Sequence, residues 1–400
     1  MTASPSASSA AGSQSLGHVL RCLALLWIAG NGMRLTILAV PPVIPFLHDD
    51  LNMSETQVGI LSGLPSMLFA FAAVPGSLLI ARFGALAALI VGLLATAVGS
   101  AWRGAADGVA VLYAATILTG FGVAVMQPAM PPLVRTWLPD RIGFATAVYT
   151  NGLLIGEVLP VALTGVLVLP LVGSWRADFV VWGACCAAIA LIVVLLAPRP
   201  AAPAPLAAPR KWWPDWRSGL IWRLGLMLGS VNALYFTTNF FIPNYLRTNG
   251  HAADIDAALT AINVGQLPAS VLLLFLAGRL IRRRWPYFVC AVLCFIAVLC
   301  VVYGGSFLII TGAALIGFAA AVVLILMLAL PPLLSPPDDV HRTAAAMFTI
   351  SYTCAVVVPV LSGICWDVTG VPAAAFVPIG LCAVVLGAGS LKLAIRQPHA

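Results

Sequence analysis

Two charged side chains, Arg34 and Glu157, fall deep inside apolar runs of this 400-residue chain. The remaining Lys, Arg, Asp and Glu fall in loops, tails or the ends of such runs. A charge near the bilayer centre costs at least ~2.5–3.5 kcal/mol even on permissive insertion scales, so such a residue marks a functional site by default. The Arg34 guanidinium offers five donors in a planar fork, suited to holding a carboxylate or a small linear anion in bidentate fashion. A carboxyl group balanced between desolvation and a neighbouring arginine can take up and release a proton. That gives Glu157 an expected proton-coupling role. The alternative for both residues is a structural lock, an ion pair that only neutralises Arg34.

The two charges lie about equally far into the first and fifth apolar runs, which cross in the same direction, so they share a depth. Uncharged polar residues occur at similar depth: Asn31, Gln127, Tyr149, Asn151, Asn232, Tyr235, Thr238, Asn239, Asn263, Gln266, Ser351 and Tyr352. Buried amides need partners, so each faces another helix or a wet cavity. The expected substrate contacts are Arg34, Asn31, Gln127, Asn151, Asn232, Tyr235 and Tyr352. Gln127, Asn151 and Asn232 are the amides most expected to line a cavity.

These residues are carried on an almost wholly apolar chain. It is 62% hydrophobic and 8% charged, with mean hydropathy +1.05, where a soluble protein carries roughly 25% charged residues. A polytopic membrane protein follows, with the lipid bilayer as its main solvent. The net charge of +7 is distributed by topology and gives no reason to expect nucleic acid. The nine cysteines sit in apolar stretches without CxxC spacing, which suits small core residues better than metal ligands. No HExxH, GxSxG or phosphate-binding loop is present, so neither an enzyme, nor a metal or other cofactor, nor ATP as energy source is expected. The polar, Ala/Ser-rich residues 1–18 do not read as a secretory signal.

Apolar runs of about 20 residues recur twelve times between residues 20 and 394, each long enough to span a bilayer. The expected fold is all-α and integral to the membrane, with twelve helices in two six-helix, pseudo-symmetric bundles. An N-terminal tail over 1–19 precedes a first bundle over 20–197. A Pro-rich linker over 198–217 leads to a second bundle over 218–394 and a short tail over 395–400. Pro-rich composition makes the linker a stiff connector, and its Trp212, Trp213 and Trp216 are expected at headgroup level. Sixteen Lys and Arg fall on the flanks shared with the chain ends and three, Arg103, Arg176 and Arg247, on the opposite flanks. By the positive-inside rule both termini are cytoplasmic, which in a bacterium means a multi-pass inner-membrane protein.

The halves echo each other. Ile44-Pro45 matches Ile242-Pro243, Leu64-Pro65 matches Leu267-Pro268, and Pro131-Pro132-Leu133 matches Pro331-Pro332-Leu333. Parallel repeats of this kind place a substrate site between the halves near the midplane. The register sets Asn232 opposite Arg34 and roughly Val357 opposite Glu157, so the charged pair occurs in one half only, which favours function over architecture. In the fifth run, Gly152-x-x-x-Gly156 is a small-xxx-small pair expected to pack on the first or eighth helix.

The stretch Ser77-Leu78-Leu79-Ile80-Ala81-Arg82-Phe83-Gly84 resembles the GxLaDrxG loop of the major facilitator superfamily, with Ser77 for its first Gly and Ala81 for its Asp. The resemblance marks Arg82 and Gly84 as gating-loop residues. Asn31-Gly32-Met33-Arg34, Pro42 and Pro45, Gly59-Ile60-Leu61-Ser62-Gly63-Leu64-Pro65, and Gln127-Pro128-Ala129-Met130-Pro131 are similar to segments of the cyanate/nitroimidazole permease-like subfamily. The resemblance implies movement of small, often anionic or polar nitrogen-containing solutes. The expected activity is secondary active transport of a small polar or anionic solute by alternating access, coupled to protons, by a monomer. Gly152 to Pro160 does not complete the superfamily's antiporter motif. Efflux of drug-like amphiphiles is the alternative transport reading. A non-transporting membrane sensor is the alternative from another class, and it would need a signalling domain.

Overall fold

The computed structural model describes residues 15–198 and 211–393. The sequence expectations for 1–14, 199–210 and 394–400, including the flanking Arg199, Arg210 and Arg396, lie outside the described residues. Twelve helices among the described residues are long and apolar enough to cross a membrane. They are α1 (Leu16–Leu51), α2 (Gln57–Phe83), α3 (Ala85–Gly104), α4 (Val109–Trp137), α5 (Pro139–Val172), α6 (Trp175–Leu196), α7 (Gly219–Thr248), α8 (Ala252–Leu280), α9 (Trp285–Tyr303), α10 (Ser306–Leu334), α11 (Pro337–Thr369) and α12 (Pro372–Leu391). No strand occurs among the described residues. Helices satisfy their backbone polar groups internally, which hydrocarbon demands.

The ends of these helices are written locally. Ser54 and Gln57 form a reciprocal capping box where α2 begins, and the Ser174 hydroxyl accepts the Ala177 amide at the start of α6. Gly84 joins α2 to α3 at φ +86°, a conformation costly to any residue with a Cβ. Prolines interrupt many of the interiors, with Pro65 and Pro75 in α2, Pro128, Pro131 and Pro132 in α4, Pro243 in α7 and Pro359 in α11. The largest interruption is in α1. Its first helical segment, Leu16–Gly32, stops; Arg34 sits at φ −124°, ψ −29°; and a short segment Leu35–Leu38 resumes before the turn at Pro41–Val43. Arg34 therefore occupies a break in a membrane helix.

Close helix contacts recur in both halves, and one of them carries the two charges. A Cβ on Gly152 would lie 2.1 Å from the Trp27 carbonyl oxygen, and one on Gly156 would lie 2.6 Å from that of Asn31. The small-xxx-small pair thus packs on α1. In the second half, α7 meets α11 at Gly225 and Gly229, against Ile350 and Cys354. The halves join where α2 lies on α11 and α5 on α8. On the face that carries both ends of the bundle, here called the terminal face, they touch directly. Gly143 faces Gly278 with room for no more than a tight Cβ contact at 3.1 Å, and Arg135 donates to the Ser335 carbonyl at 2.6 Å. The described part of the connector completes this closure. Ser77 of α2 donates to the Trp212 carbonyl at 2.8 Å, and Arg342 of α11 donates to that of Trp213 at 2.7 Å. Trp212, Trp213 and Trp216 stack edge-on against one another there.

The structure corrects one expectation about charge. Arg103 and Asp178, placed by sequence at the ends of apolar runs, are fully buried. Arg103 donates to the Thr36 carbonyl and to Thr116; Asp178 accepts from Thr164 and Trp182. Arg34 and Glu157 are therefore not the only charges inside the bundle.

Candidate functional site

A cavity of about 420 Å³ lies between the halves, walled by α1, α2 and α5 of the first and by α7 and α8 of the second. Its wall begins at Arg34, Phe69 and Glu157 and continues through Ile37, Val40 and Pro41, Leu61, Ser62 and Ser66, and Val158 and Ala162. Given the chain directions, it extends from mid-bundle away from the terminal face, where the halves are in contact.

The break in α1 and the close α1–α5 contact bring the two charges together. Arg34 Nε lies 3.2 Å from Glu157 Oε1. The Arg34 side chain is 11% exposed and that of Glu157 26%, so the carboxylate is the more open to the cavity. Arg34 Nη2 also donates across to the Tyr352 hydroxyl on α11 at 3.3 Å, and its guanidinium carbon stands 5.6 Å from the centre of the Phe69 ring. Phe69 packs edge-on against Tyr352 with ring centres 5.0 Å apart. Arg34 thus makes an ion pair within one half and a hydrogen bond to the other, beside an aromatic face.

The opposite wall is a hydrogen-bonded chain. Tyr235 donates to Asn263 Oδ1 at 2.5 Å and accepts from Gln266 Nε2 at 2.9 Å, while Asn263 donates to Asn239 Oδ1 at 3.1 Å. Apart from Ser62 and Ser66 the rest of the lining is apolar, with Phe236, Leu154 and Val161 among it. The cavity therefore offers one paired cation, one paired carboxylate, an amide–phenol array and an apolar remainder.

Of the residues expected from sequence, Arg34, Glu157 and Tyr235 line this cavity. Tyr352 stands directly behind Arg34, and its hydroxyl also accepts from Gln127 at 3.2 Å. Gln127, Asn151 and Asn232, the amides most expected in the wall, are not in it. Gln127 is buried against Tyr352. Asn151 accepts from Trp27 Nε1 and donates to Ser270, both at 3.0 Å, which ties α1, α5 and α8 together. Asn232 donates to Ser351 at 2.8 Å. Each amide found a side-chain partner on a neighbouring helix, the outcome that low dielectric rewards. Asn31 is buried and donates to the Trp27 carbonyl one turn back. Arg82 and Gly84 form the α2–α3 turn, outside the cavity wall. Sequence reading missed Phe69, which has no polar signal, and gave Asn263 and Gln266 no preference over other amides. Among the described residues no group of His, Cys, Asp and Glu could hold a metal ion, and all nine cysteines are free.

A family model described as Major Facilitator Superfamily matches residues 26–267, more than half of the chain. The chain belongs to the Major Facilitator Superfamily. It is 26% identical over 261 residues to an uncharacterized transporter, YycB, of Bacillus subtilis, covering 65% of this chain and 64% of that one. The cyanate transport protein CynX of Escherichia coli is 24% identical over 66% of this chain and 68% of its own length. The 2-nitroimidazole transporter of the same organism is 25% identical over 55% and 56%. These alignments span about two thirds or less of each relative. The whole fold matches the solved proton:xylose symporter XylE bound to 6-bromo-6-deoxy-D-glucose, with TM-score 0.74 at 14% identity, covering 94% of this chain and 96% of the other. Twelve membrane-capable helices and this membership make the protein a multi-pass membrane protein of the superfamily.

Proposed function

We propose that this superfamily member moves a small polar or anionic solute by alternating access, with Arg34 as its anion contact and Glu157 as its proton-coupling group. The observation that carries the reading is the Arg34–Glu157 pair in the wall of a cavity between the halves. An incoming carboxylate or comparable anion competes with Glu157 for the guanidinium fork. Once displaced, Glu157 is a desolvated carboxylate without its cation, and protonation removes that cost. Anion and proton are then taken up together, and the cavity stays near neutral when loaded. Tyr235, Asn263 and Gln266 supply hydrogen bonds to the solute's far edge.

A cavity of about 420 Å³ is far roomier than a triatomic anion needs and lies in the range of about 300–1,000 Å³ typical of drug-sized ligand sites. That supports a ring-sized solute over cyanate. The names of the relatives, a cyanate transport protein and a 2-nitroimidazole transporter, support small nitrogen-containing solutes as the first probes. We also propose, from the sixteen-to-three distribution of Lys and Arg, that the terminal face is cytoplasmic in a bacterial inner membrane. The cavity then extends toward the outside.

The test is a thermal-shift screen of purified protein against cyanate, nitrate, short carboxylates and nitroimidazoles, beside amphiphilic drugs. A ligand at one hundred times its Kd stabilises the folded state by about 2.7 kcal/mol. Stabilisation by a small anion or polar ring that disappears in Arg34→Ala and weakens in Arg34→Lys is expected, because lysine lacks the bidentate fork. Stabilisation only by bulky amphiphiles, unaffected by Arg34→Ala, would instead favour drug efflux and leave the pair a structural lock.

A further inference from the structure

Among the described residues Arg103 is the largest fully buried side chain, and it has no carboxylate partner there. Its three contacts reach three other helices. Nη1 donates to the Thr36 carbonyl of α1 at 2.7 Å, and Nε to the Thr116 hydroxyl of α4 at 3.1 Å. The guanidinium carbon stands 5.6 Å from the Phe179 ring of α6. Thr116 can accept because its own proton is already given to the Leu112 carbonyl at 2.8 Å. Burying a guanidinium without a counter-charge is expensive, and a neutral donor could tie α3 to α4 equally well. The charge needs another explanation, and the Thr36 carbonyl supplies it.

Thr36 lies in the short segment Leu35–Leu38 that follows the break, and this segment ends just before Pro41. In a continuous helix its carbonyl would accept the Val40 amide. Here the Val40 amide turns to Ile37 at 3.4 Å, so the Thr36 oxygen is released into the protein interior with no backbone donor. Breaks in membrane helices persist only where neighbouring groups re-satisfy the freed backbone. Arg103 does this, with a charge-assisted bond that is stronger than a neutral one. We propose that Arg103 is a positioning residue of the transport site. By holding the Thr36 carbonyl it anchors the short segment Leu35–Leu38, whose Ile37 and Leu38 amides donate to the Arg34 carbonyl, and so fixes how Arg34 is turned toward Glu157 and the cavity. Without it, the cheapest way to satisfy the carbonyl is to bring the Val40 amide back to it, which shifts the segment between the break and Pro41. That shift moves Arg34, which caps the segment, away from Glu157.

The proposal rests on the reading of Arg34 as a solute contact, and the experiment separates the two. On full-length protein in lipid nanodiscs, Arg103→Met should change amide exchange across residues 33–43 at least tenfold, with exchange over 85–100 and 109–130 unchanged. Arg103→Lys should fall between, because an ammonium can still reach one carbonyl. Unchanged exchange at 33–43, or equal acceleration throughout the first six helices, would overturn the proposal. If Arg103→Met does not fold, Thr116→Val removes one anchor of the guanidinium and gives the same pattern at smaller amplitude. Binding of cyanate and of 2-nitroimidazole is measured on the same variants. Loss of binding in Arg34→Ala with at least tenfold weakening in Arg103→Met supports both ideas. Loss in Arg34→Ala with wild-type affinity in Arg103→Met sinks the positioning role alone. Wild-type binding in Arg34→Ala sinks the site reading, and the exchange pattern still decides what Arg103 does to α1.

Discussion

Gly152→Ala adds one methyl group at the point where α5 comes closest to α1. Its carbon would lie 2.1 Å from the Trp27 carbonyl oxygen, and separations under 3.0 Å are essentially never observed. Both atoms in the conflict belong to backbones or are fixed to them, so no rotamer relieves it. The helices must part by about 1 Å, and overpacking of this kind costs about 1–3 kcal/mol. Arg34 and Glu157 sit on the same two helices at 3.2 Å. If their separation grows in step to about 4.2 Å, their attraction at an effective dielectric constant of about 20 falls from about 5 to about 4 kcal/mol. The loosened pair accounts for about 1.2 kcal/mol, roughly an eightfold effect on an equilibrium. This part exists only while both charges exist, so it appears as coupling in a double-mutant cycle with Glu157→Gln. Reversible unfolding by SDS in mixed micelles supplies the four stabilities. A coupling of about 1 kcal/mol is expected. Gly63→Ala, where a Cβ meets nothing within 4 Å, should be near neutral. Additive effects of Gly152→Ala and Glu157→Gln, within about 0.3–0.5 kcal/mol, would show that the glycine contact does not set the geometry of the pair.

Other residues give sharper, smaller tests. Tyr352→Phe removes the hydroxyl that accepts from both Arg34 and Gln127; two buried donors lose a partner, at about 1–3 kcal/mol each, and uptake in proteoliposomes should show at least a tenfold drop in kcat/KM. Asn232→Leu breaks the bond to Ser351 outside the cavity wall, so thermal stability should fall while solute affinity holds; a changed affinity with unchanged Tm would place Asn232 in the site after all. Ser77→Ala strips the fully buried donor from the Trp212 carbonyl and should favour opening of the terminal face, read as faster labelling of a Ser335→Cys reporter in a cysteine-less background; unchanged labelling would dismiss the connector as a latch.

Sequence was most informative where lipid imposes a rule. Twelve spans, their order and the break between halves follow from length and apolarity, because no other backbone solution survives in hydrocarbon. Arg34 and Glu157 stood out for the same reason. The amides did not sort, because an amide at membrane depth is satisfied equally by a solute, a water-filled cavity or a neighbouring side chain. Asn151 found Trp27 and Ser270, and Asn232 found Ser351; these are partners distant in sequence that only the folded arrangement of helices brings within reach. Arg103 and Asp178 were misplaced because each stands at the end of an apolar run, where a snorkelling charge at the interface is the ordinary case. Whether a terminal charge points out or in depends on the three helices around it. For Arg103, the added cue was the Thr36 carbonyl left free where the segment Leu35–Leu38 ends.

The internal repeat separates architecture from chemistry. The register that sets Asn232 opposite Arg34 also sets Gly225 and Gly229 opposite Trp27 and Asn31. Taken from the contacts, Ile350 and Cys354 stand opposite Gly152 and Gly156, which sets Ala355 opposite Glu157 where the sequence register gives roughly Val357. These are the residues that touch. In the first half, glycines on α5 admit the backbone of α1 at Trp27 and Asn31; in the second, glycines on α7 admit Ile350 and Cys354 of α11. The close contact is thus present in both halves; in the first, Gly30 of α1 adds a third glycine against the Tyr149 carbonyl of α5. A contact made in both halves by different sets of residues is a requirement of the fold, since close approach needs space on only one partner. The charges behave otherwise. Arg34 and Glu157 pair across their contact, while the corresponding positions hold Asn232 and Ala355, and Asn232 bonds instead to Ser351. The second half reaches the same packing without an ion pair, so the pair is not what holds such helices together. Two charges kept inside the membrane at a cost the architecture does not require are best explained by what enters the cavity beside them.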